Sequence, residues 1–148
     1  MVTGNLMLKE IAEGYTVDSN QVIIACVDKS IVKAFFSQWE WVNLGLAVSE
    51  RLITIPKESR KQSIVEIVKK QVDDTALENV VIENIDLLFS PEYSLDVIKL
   101  FTLIGKTKRL VVIWEGAFKD GVVTYAEPDS QDYHRYEIKN YDAYCITK

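Results

Sequence analysis

The chain has 148 residues, 48% of them apolar, and a net charge of −5, which suits one domain with a continuous core and excludes a globally disordered protein. The acidity argues against holding nucleic acid over a broad basic surface. Two distant cysteines, Cys26 and Cys145, without a CxxC pair and beside a single histidine, His134, exclude a disulfide scaffold or a structural zinc site and predict buried thiols.

The longest apolar runs, 22–27 and 110–114, are strand-sized and far too short to cross a bilayer. Residues 1–8 lack the charged start and long apolar stretch of a secretory leader, so the expected compartment is the cytoplasm. With no repeat, no low-complexity stretch and no linker-like segment, one domain is expected over 1–148.

In chain order, Leu8, Ile11 and Ala12 share a face in a short helix over 6–13, which Gly14 stops. A strand over 21–26, β-branched and apolar on both faces, is followed by a helix over 30–39 that places Ile31, Ala34, Phe35 and Gln38 on adjacent turns. Alternation of Val42, Leu44, Leu46 and Val48 predicts a second strand over 41–48. The clearest helix covers 59–72, with Ile64, Ile67, Val68 and Gln71 on one side. A third strand follows over 79–83, then a helix over 94–104 ended by Gly105 and basic residues, then a fourth strand over 109–114. After the turn Lys119-Asp120-Gly121 a last strand over 121–125 is expected, and the tail 127–148, rich in tyrosine and charge, has no assigned conformation. Strands apolar on both faces and separated by helices predict an α/β fold: a mainly parallel sheet covered by helices on both sides.

In such a sheet ligands sit beyond the carboxyl ends of the strands. The third strand runs Val80-Val81-Ile82-Glu83-Asn84-Ile85-Asp86, an apolar run that delivers a carboxylate at its tip, as in the Walker B arrangement. Glu83 stands where the acid that binds Mg²⁺ is expected, with Asn84 and Asp86 as candidates to place an attacking water. The first strand leads into Val27-Asp28-Lys29-Ser30. Lys29 is the candidate for contact with the phosphates of ATP, and Ser30 for contact with the nucleotide and its Mg²⁺. The loop, however, has no glycine, and Asp28 stands where the last one belongs; its carboxylate repels polyphosphate and equally suits an N-cap. Glu115, at the tip of the fourth strand, is either a polar sensor near a γ-phosphate or a turn residue.

No Gly-x-Ser-x-Gly elbow and no glycine-rich dinucleotide fingerprint occurs, and His134, in the hydrophilic segment 129–137, is expected at the surface. Basic residues gather at Lys57–Lys70 and Lys106–Arg109, as solvated faces or as local contacts to DNA phosphate. Trp39, Trp41, Tyr125, Tyr133, Tyr136, Tyr141 and Tyr144 include candidates for a partner-contact surface.

The succession VVIENIDLLFSPEYSLDVIKLF, RLVVIWEG and GVVTYAEPDSQDYHRYEI resembles the BrxF family, small P-loop proteins of type 3 BREX bacteriophage-defence systems, over roughly Gln21 to Ile138. The most specific part is Thr124-Tyr125-Ala126-Glu127-Pro128 with the segment 133–136 after it. The resemblance implies a P-loop NTPase, AAA+-like core without a separate lid domain, a bacterial cytoplasmic setting, and work beside other BREX proteins: a large ATPase, a methyltransferase and a phosphatase-like protein. It matches Lys29 and Ser30 to the end of the P-loop, and Glu83 with Asn84 to the Walker B tip. The missing loop glycines depart from that pattern. The expected role is therefore an assembly module with a degenerate ATP and Mg²⁺ site, with a homo-oligomer open; the rivals are an active Mg-ATPase, using Glu83, Asn84 and Asp86, and a DNA-contacting adaptor.

Overall fold

A computed structural model describes residues 22–104 and 108–147. The elements are β1 (Val22–Cys26), α1 (Lys29–Phe35), β2 (Glu40–Asn43), α2 (Leu44–Leu52), α3 (Arg60–Asp73), β3 (Asn79–Glu83), α4 (Val97–Ile104), β4 (Arg109–Ile113), β5 (Ala117–Lys119), β6 (Val122–Tyr125), β7 (His134–Glu137) and β8 (Ala143–Thr147). Short 3-10 turns occupy Lys57–Ser59, Asp86–Phe89, Pro91–Tyr93 and Ile138–Asn140.

Five strands form one parallel sheet in the order β2-β3-β4-β1-β8. Their side chains alternate between two buried faces, so both must be apolar. Ile24, Val80, Ile82, Leu110 and Val112 point to the side packed by α2, α3 and α4. Ile23, Ala25, Val81, Val111, Ile113, Tyr144 and Ile146 point to the other, where α1 contributes Val32 and Phe36. The expected α/β architecture, with helices on both faces of a parallel sheet, is present.

The chain leaves β1 for the β2 edge, returns through β3 to β4 beside β1, and then passes to the far side of β1 to end in β8. The winding thus reverses between β1 and β4, and a crevice opens there at the carboxyl ends of the strands.

Several expected boundaries shift, each for a local reason. The second strand does not run over 41–48: it stops at Asn43, whose Oδ1 accepts the Leu46 N–H at 3.1 Å and caps α2. Leu44 and Val48 are then buried one helical turn apart, whereas Leu46 is 57% exposed, which the strand alternation did not foresee. The helix expected over 94–104 begins only at Val97, because Ser94 has a left-handed φ of 49°. The helix expected over 30–39 ends at Phe35. The strand expected over 121–125 forms as β6 but belongs to a second sheet, and the strand that completes the main sheet is β8, in the tail. The helix expected over 6–13 lies outside the described residues, as do Gly105 and Lys106.

The second sheet is antiparallel, in the order β5-β6-β7, and sits against the carboxyl edge of the main sheet. Its first hairpin closes with Lys119 opposite Val122, and the two loop residues, Asp120 (φ 53°) and Gly121 (φ 78°), are both left-handed. That is the turn an Asp-Gly pair favours. The chain enters this sheet at Gly116, where Trp114 Nε1–H donates to the Thr124 carbonyl at 2.9 Å directly beside the glycine.

The tail also clasps α4. Asp96 Oδ1 accepts the Lys99 N–H at 3.1 Å, and its Oδ2 accepts the Tyr141 hydroxyl at 2.7 Å. The Tyr136 hydroxyl oxygen accepts the Val97 N–H at 3.2 Å. Asp96→Ala removes a cap and strands the Tyr141 hydroxyl, so it is expected to cost about 1–2 kcal/mol, against about 1 kcal/mol for Tyr141→Phe. Urea denaturation of the two variants measures the difference.

Candidate functional site

The carboxyl edge gathers most of the chemistry-bearing residues singled out in the sequence. Between the end of β1 and the start of α1 lie just Val27 and Asp28. Asp28 occupies the N-cap position with φ −59° and ψ 142°, but its side chain makes no capping hydrogen bond, contrary to its expected role. Its carbonyl instead accepts the N–H groups of Ile31 (2.9 Å) and Val32 (3.3 Å). A two-residue connection has no length with which to wrap a polyphosphate.

Lys29 opens α1 and reaches across to β3, where its Nζ meets Glu83 Oε1 at 2.5 Å. Lys29 is half exposed and Glu83 mostly covered. The candidate phosphate contact and the candidate metal acid are therefore each other's partners. Ser30, the other candidate metal contact, follows in the exposed first turn of α1.

Asn84 directly follows β3 in a left-handed conformation (φ 60°), which asparagine tolerates better than most residues. Its Nδ2 donates to Asn43 Oδ1 at 3.0 Å, so its amide braces the cap of α2. Gly45 packs so closely that a Cβ there would lie 2.6 Å from Asn84 Nδ2. Asp86 begins the turn after β3, and its Oδ1 accepts the Tyr125 hydroxyl at 2.9 Å. Of the three residues expected to do chemistry, Glu83 thus faces Lys29, Asn84 faces Asn43, and Asp86 faces Tyr125.

Glu115 follows β4 and faces Asp86. The negative charge of Asp86 raises the proton affinity of the Glu115 carboxyl above the ordinary glutamate range; partial burial and a hydrogen bond between the two carboxyls add to this, and the Lys29 ammonium opposes it. Burial, and secondly its bond to Asp86, likewise holds the Tyr125 hydroxyl protonated well above the usual tyrosine range. A hollow of about 310 Å³ lies at the winding reversal, lined by 26–29 on one side and 113–116 on the other. Asp28 and Glu115 place two carboxylates on its wall beside the Lys29 ammonium, where a polyphosphate would need an excess of cations. A second hollow, of about 440 Å³, continues past Glu115 and Gly116 to Glu127 and Tyr133.

Aromatic rings join this edge to the small sheet. Tyr125 stacks on Phe89 with centroids 3.7 Å apart and planes 7° from parallel, and Trp114 meets Phe89 edge-on at 5.2 Å. His134 is half-buried against Phe89 and Tyr136 rather than at the surface. The seven aromatics read as possible partner contacts are all half-buried or buried, Tyr136 and Tyr144 fully so. Cys26 and Cys145 are free thiols in and beside the core, and burial pushes Cys26 up to about 12.

The basic clusters are partly committed elsewhere. Lys69 and Lys70 pair with Asp73 and Asp74, Arg60 donates to the Ile55 carbonyl, and Lys108 donates to the carbonyls of Thr75 and Leu77. Among the described residues no group of three acidic, histidine or cysteine side chains is arranged to hold a metal ion, and no helix is long and apolar enough to cross a membrane.

Sequence reasoning found Lys29, Glu83, Asp86 and Glu115 but not their pairings. Asn43 was read as part of a strand rather than as a helix cap, and nothing local pointed from Tyr125 to Asp86, because Tyr125 reaches that carboxylate from a different sheet. No protein family, curated protein or solved structure matches the chain.

Proposed function

We propose that this chain is an NTPase-like α/β module whose nucleotide site is degenerate, and that it serves as an assembly or interaction subunit, in keeping with its resemblance to the BREX antiphage-defence proteins. The observation that carries the reading is the Lys29–Glu83 ion pair across the mouth of a two-residue loop. A working site needs the lysine for phosphate and the acid for Mg²⁺; here each neutralises the other. The winding reversal between β1 and β4 and the carboxylate at the tip of β3 support descent from a nucleotide-binding P-loop core. The acidic wall supplied by Asp28 and Glu115 supports loss of the nucleotide, because it disfavours an anionic ligand.

The rival is an active Mg-ATPase in which Lys29 turns to phosphate, Ser30 and Glu83 take the metal, and Asn84 or Asp86 places water. That reading requires ATP to break the Lys29–Glu83 contact and either the Asn84–Asn43 or the Asp86–Tyr125 contact. Melting the protein in a titration of ATP with Mg²⁺ separates the two. Ligand at a hundredfold excess over its Kd would stabilise the fold by about 2.7 kcal/mol and raise Tm by roughly 5–10 °C. The expected result is no rise at millimolar nucleotide, in the wild type and in Lys29→Ala alike. A rise that disappears in Lys29→Ala would instead establish the ATPase-like site. Light scattering of the same samples reads out whether the module self-associates.

A further inference from the structure

The passage from β2 into α2 and the turn after β3 meet at a hollow of about 400 Å³, whose lining shares no residue with the crevice between β1 and β4. Asn43, Leu46 and Ser49 line it from one element, and Asn84, Asp86 and Leu87 from the other. Leu46 is 57% exposed and Leu87 half-buried, so two leucines of this hollow offer apolar surface to water. Apolar surface left at a depression with fixed polar groups beside it is how a binding groove is built.

The polar groups are the amides of Asn43 and Asn84. Asn43 Oδ1 is occupied twice, by the Leu46 N–H at 3.1 Å and by Asn84 Nδ2 at 3.0 Å. A side-chain amide has two donor hydrogens and an acceptor oxygen, so these bonds leave the Asn43 Nδ2 hydrogens and the Asn84 Oδ1 for an outside group. Among the described residues none takes them. Both side chains are fixed in advance. The cap of α2 holds Asn43, and Asn84 is set by its left-handed backbone and by Gly45, whose missing Cβ would lie 2.6 Å from Asn84 Nδ2. A donor and an acceptor that need no ordering lose little on binding.

One residue of an extended chain presents its own N–H and C=O to the same side. That pair is the complement of the Asn43 donor and the Asn84 acceptor, and main-chain recognition of this kind takes its specificity from adjoining apolar pockets. Asp86 adds a carboxylate to the lining, which repels an acidic segment.

We propose that this hollow docks an extended, non-acidic segment of a partner protein. Asn43 Nδ2 donates to a main-chain carbonyl of the segment, Asn84 Oδ1 accepts a main-chain N–H, and Leu46 with Leu87 covers an apolar side chain. The proposal rests on the reading of the chain as an interaction subunit and names the surface and the chemistry of the partner.

The probe is N-acetyl-leucine N-methylamide, which carries one apolar side chain with the N–H and C=O of one residue. Titrated into ¹⁵N-labelled full-length protein, it is expected to shift the side-chain amide signals of Asn43 and Asn84 saturably, with a Kd in the millimolar range. Leu46→Asp is expected to abolish the shifts. Asn84→Gly, which tolerates the left-handed backbone and removes the acceptor, is expected to weaken binding several-fold, as is N-methylation of the leucine nitrogen in the probe. Ile53→Asp, at an exposed position of the same helix end outside the hollow, is expected to change nothing. Absence of saturable shifts, or equal binding by Leu46→Asp or by the N-methylated probe, overturns the proposal. Shifts of the same amides on concentrating the protein alone would put a second copy in the hollow and overturn it too. A failure here with no stabilisation by ATP removes this surface only, whereas stabilisation by ATP removes the degenerate-site reading and leaves the peptide result to stand by itself.

Discussion

Gly116→Ala is expected to be the most damaging small substitution in the described chain. A Cβ at this position would lie 1.8 Å from the Thr124 carbonyl oxygen and 2.7 Å from Trp114 Nε1. Neither neighbour is the free end of a flexible side chain. One is backbone in the middle strand of the small sheet, and the other is a ring held at 2% exposure by Phe89 and Tyr125. The methyl group must therefore break the indole–carbonyl bond and push β6 away from β4. Overpacking and a stranded polar pair together are expected to cost about 3–4 kcal/mol, and to lower Tm by roughly 10 °C. Gly121→Ala is the control. Its glycine has φ 78° but nothing within 4 Å of the added carbon, so only conformational cost remains, about 1 kcal/mol. Thermal melts of the two variants, side by side, distinguish close approach from backbone freedom; equal losses would mean that Gly116 is not pinned as described.

Phe89→Ala is expected to follow closely. Phe89 is fully buried and touches Trp114, Tyr125 and His134, so one ring joins the main core to the small sheet. Removing it leaves a cavity as well as lost transfer energy, about 3–5 kcal/mol in total. Its position adds a second signature. Because its partners lie just after β4 and on β6 and β7, the loss falls most heavily on the small sheet. Amide exchange should therefore accelerate in β6 and β7 before it does in β1 and β3. Phe89→Leu, which keeps most of the volume, should recover more than half of the stability. Uniform acceleration across both sheets would show that the ring is ordinary core.

Much of this architecture could be read along the chain, and the places where reading failed share a cause. β1, β3 and β4 are unbroken apolar runs because each is buried on both faces, and their limits were legible to within a residue or two. The stretch 41–48 was not, because Val42-Asn43-Leu44-Gly45-Leu46 alternates like a strand while Asn43 caps a helix, and the cap wins by satisfying an N–H that a strand would leave to a neighbour. β8 was missed because its meaning is non-local. Ala143–Thr147 is a strand by virtue of lying beside β1, with Val22 opposite Ala143 and Cys26 opposite Thr147. At the carboxyl edge, residue types were readable and partners were not. Lys29 and Glu83 were singled out for ligands, yet each is answered by the other, and no spacing within either segment could disclose that.

The placement of β8 has a consequence for how the chain finds its shape. β1, an inner strand next to the β8 edge, has neighbours drawn from far along the sequence, β4 on one side and β8 on the other. Every pairing in the main sheet closes a long loop, whereas the β5–β6 hairpin and the α2–α3 pair close short ones. Loop entropy therefore orders events: local hairpin and helix contacts form early, and the middle of the sheet is completed late. Until β8 arrives, one edge of β1 stays open, with its N–H and C=O groups unpaired and its apolar residues on view. Refolding should be correspondingly slow for a domain of this size, and its intermediates prone to pair with one another through that edge.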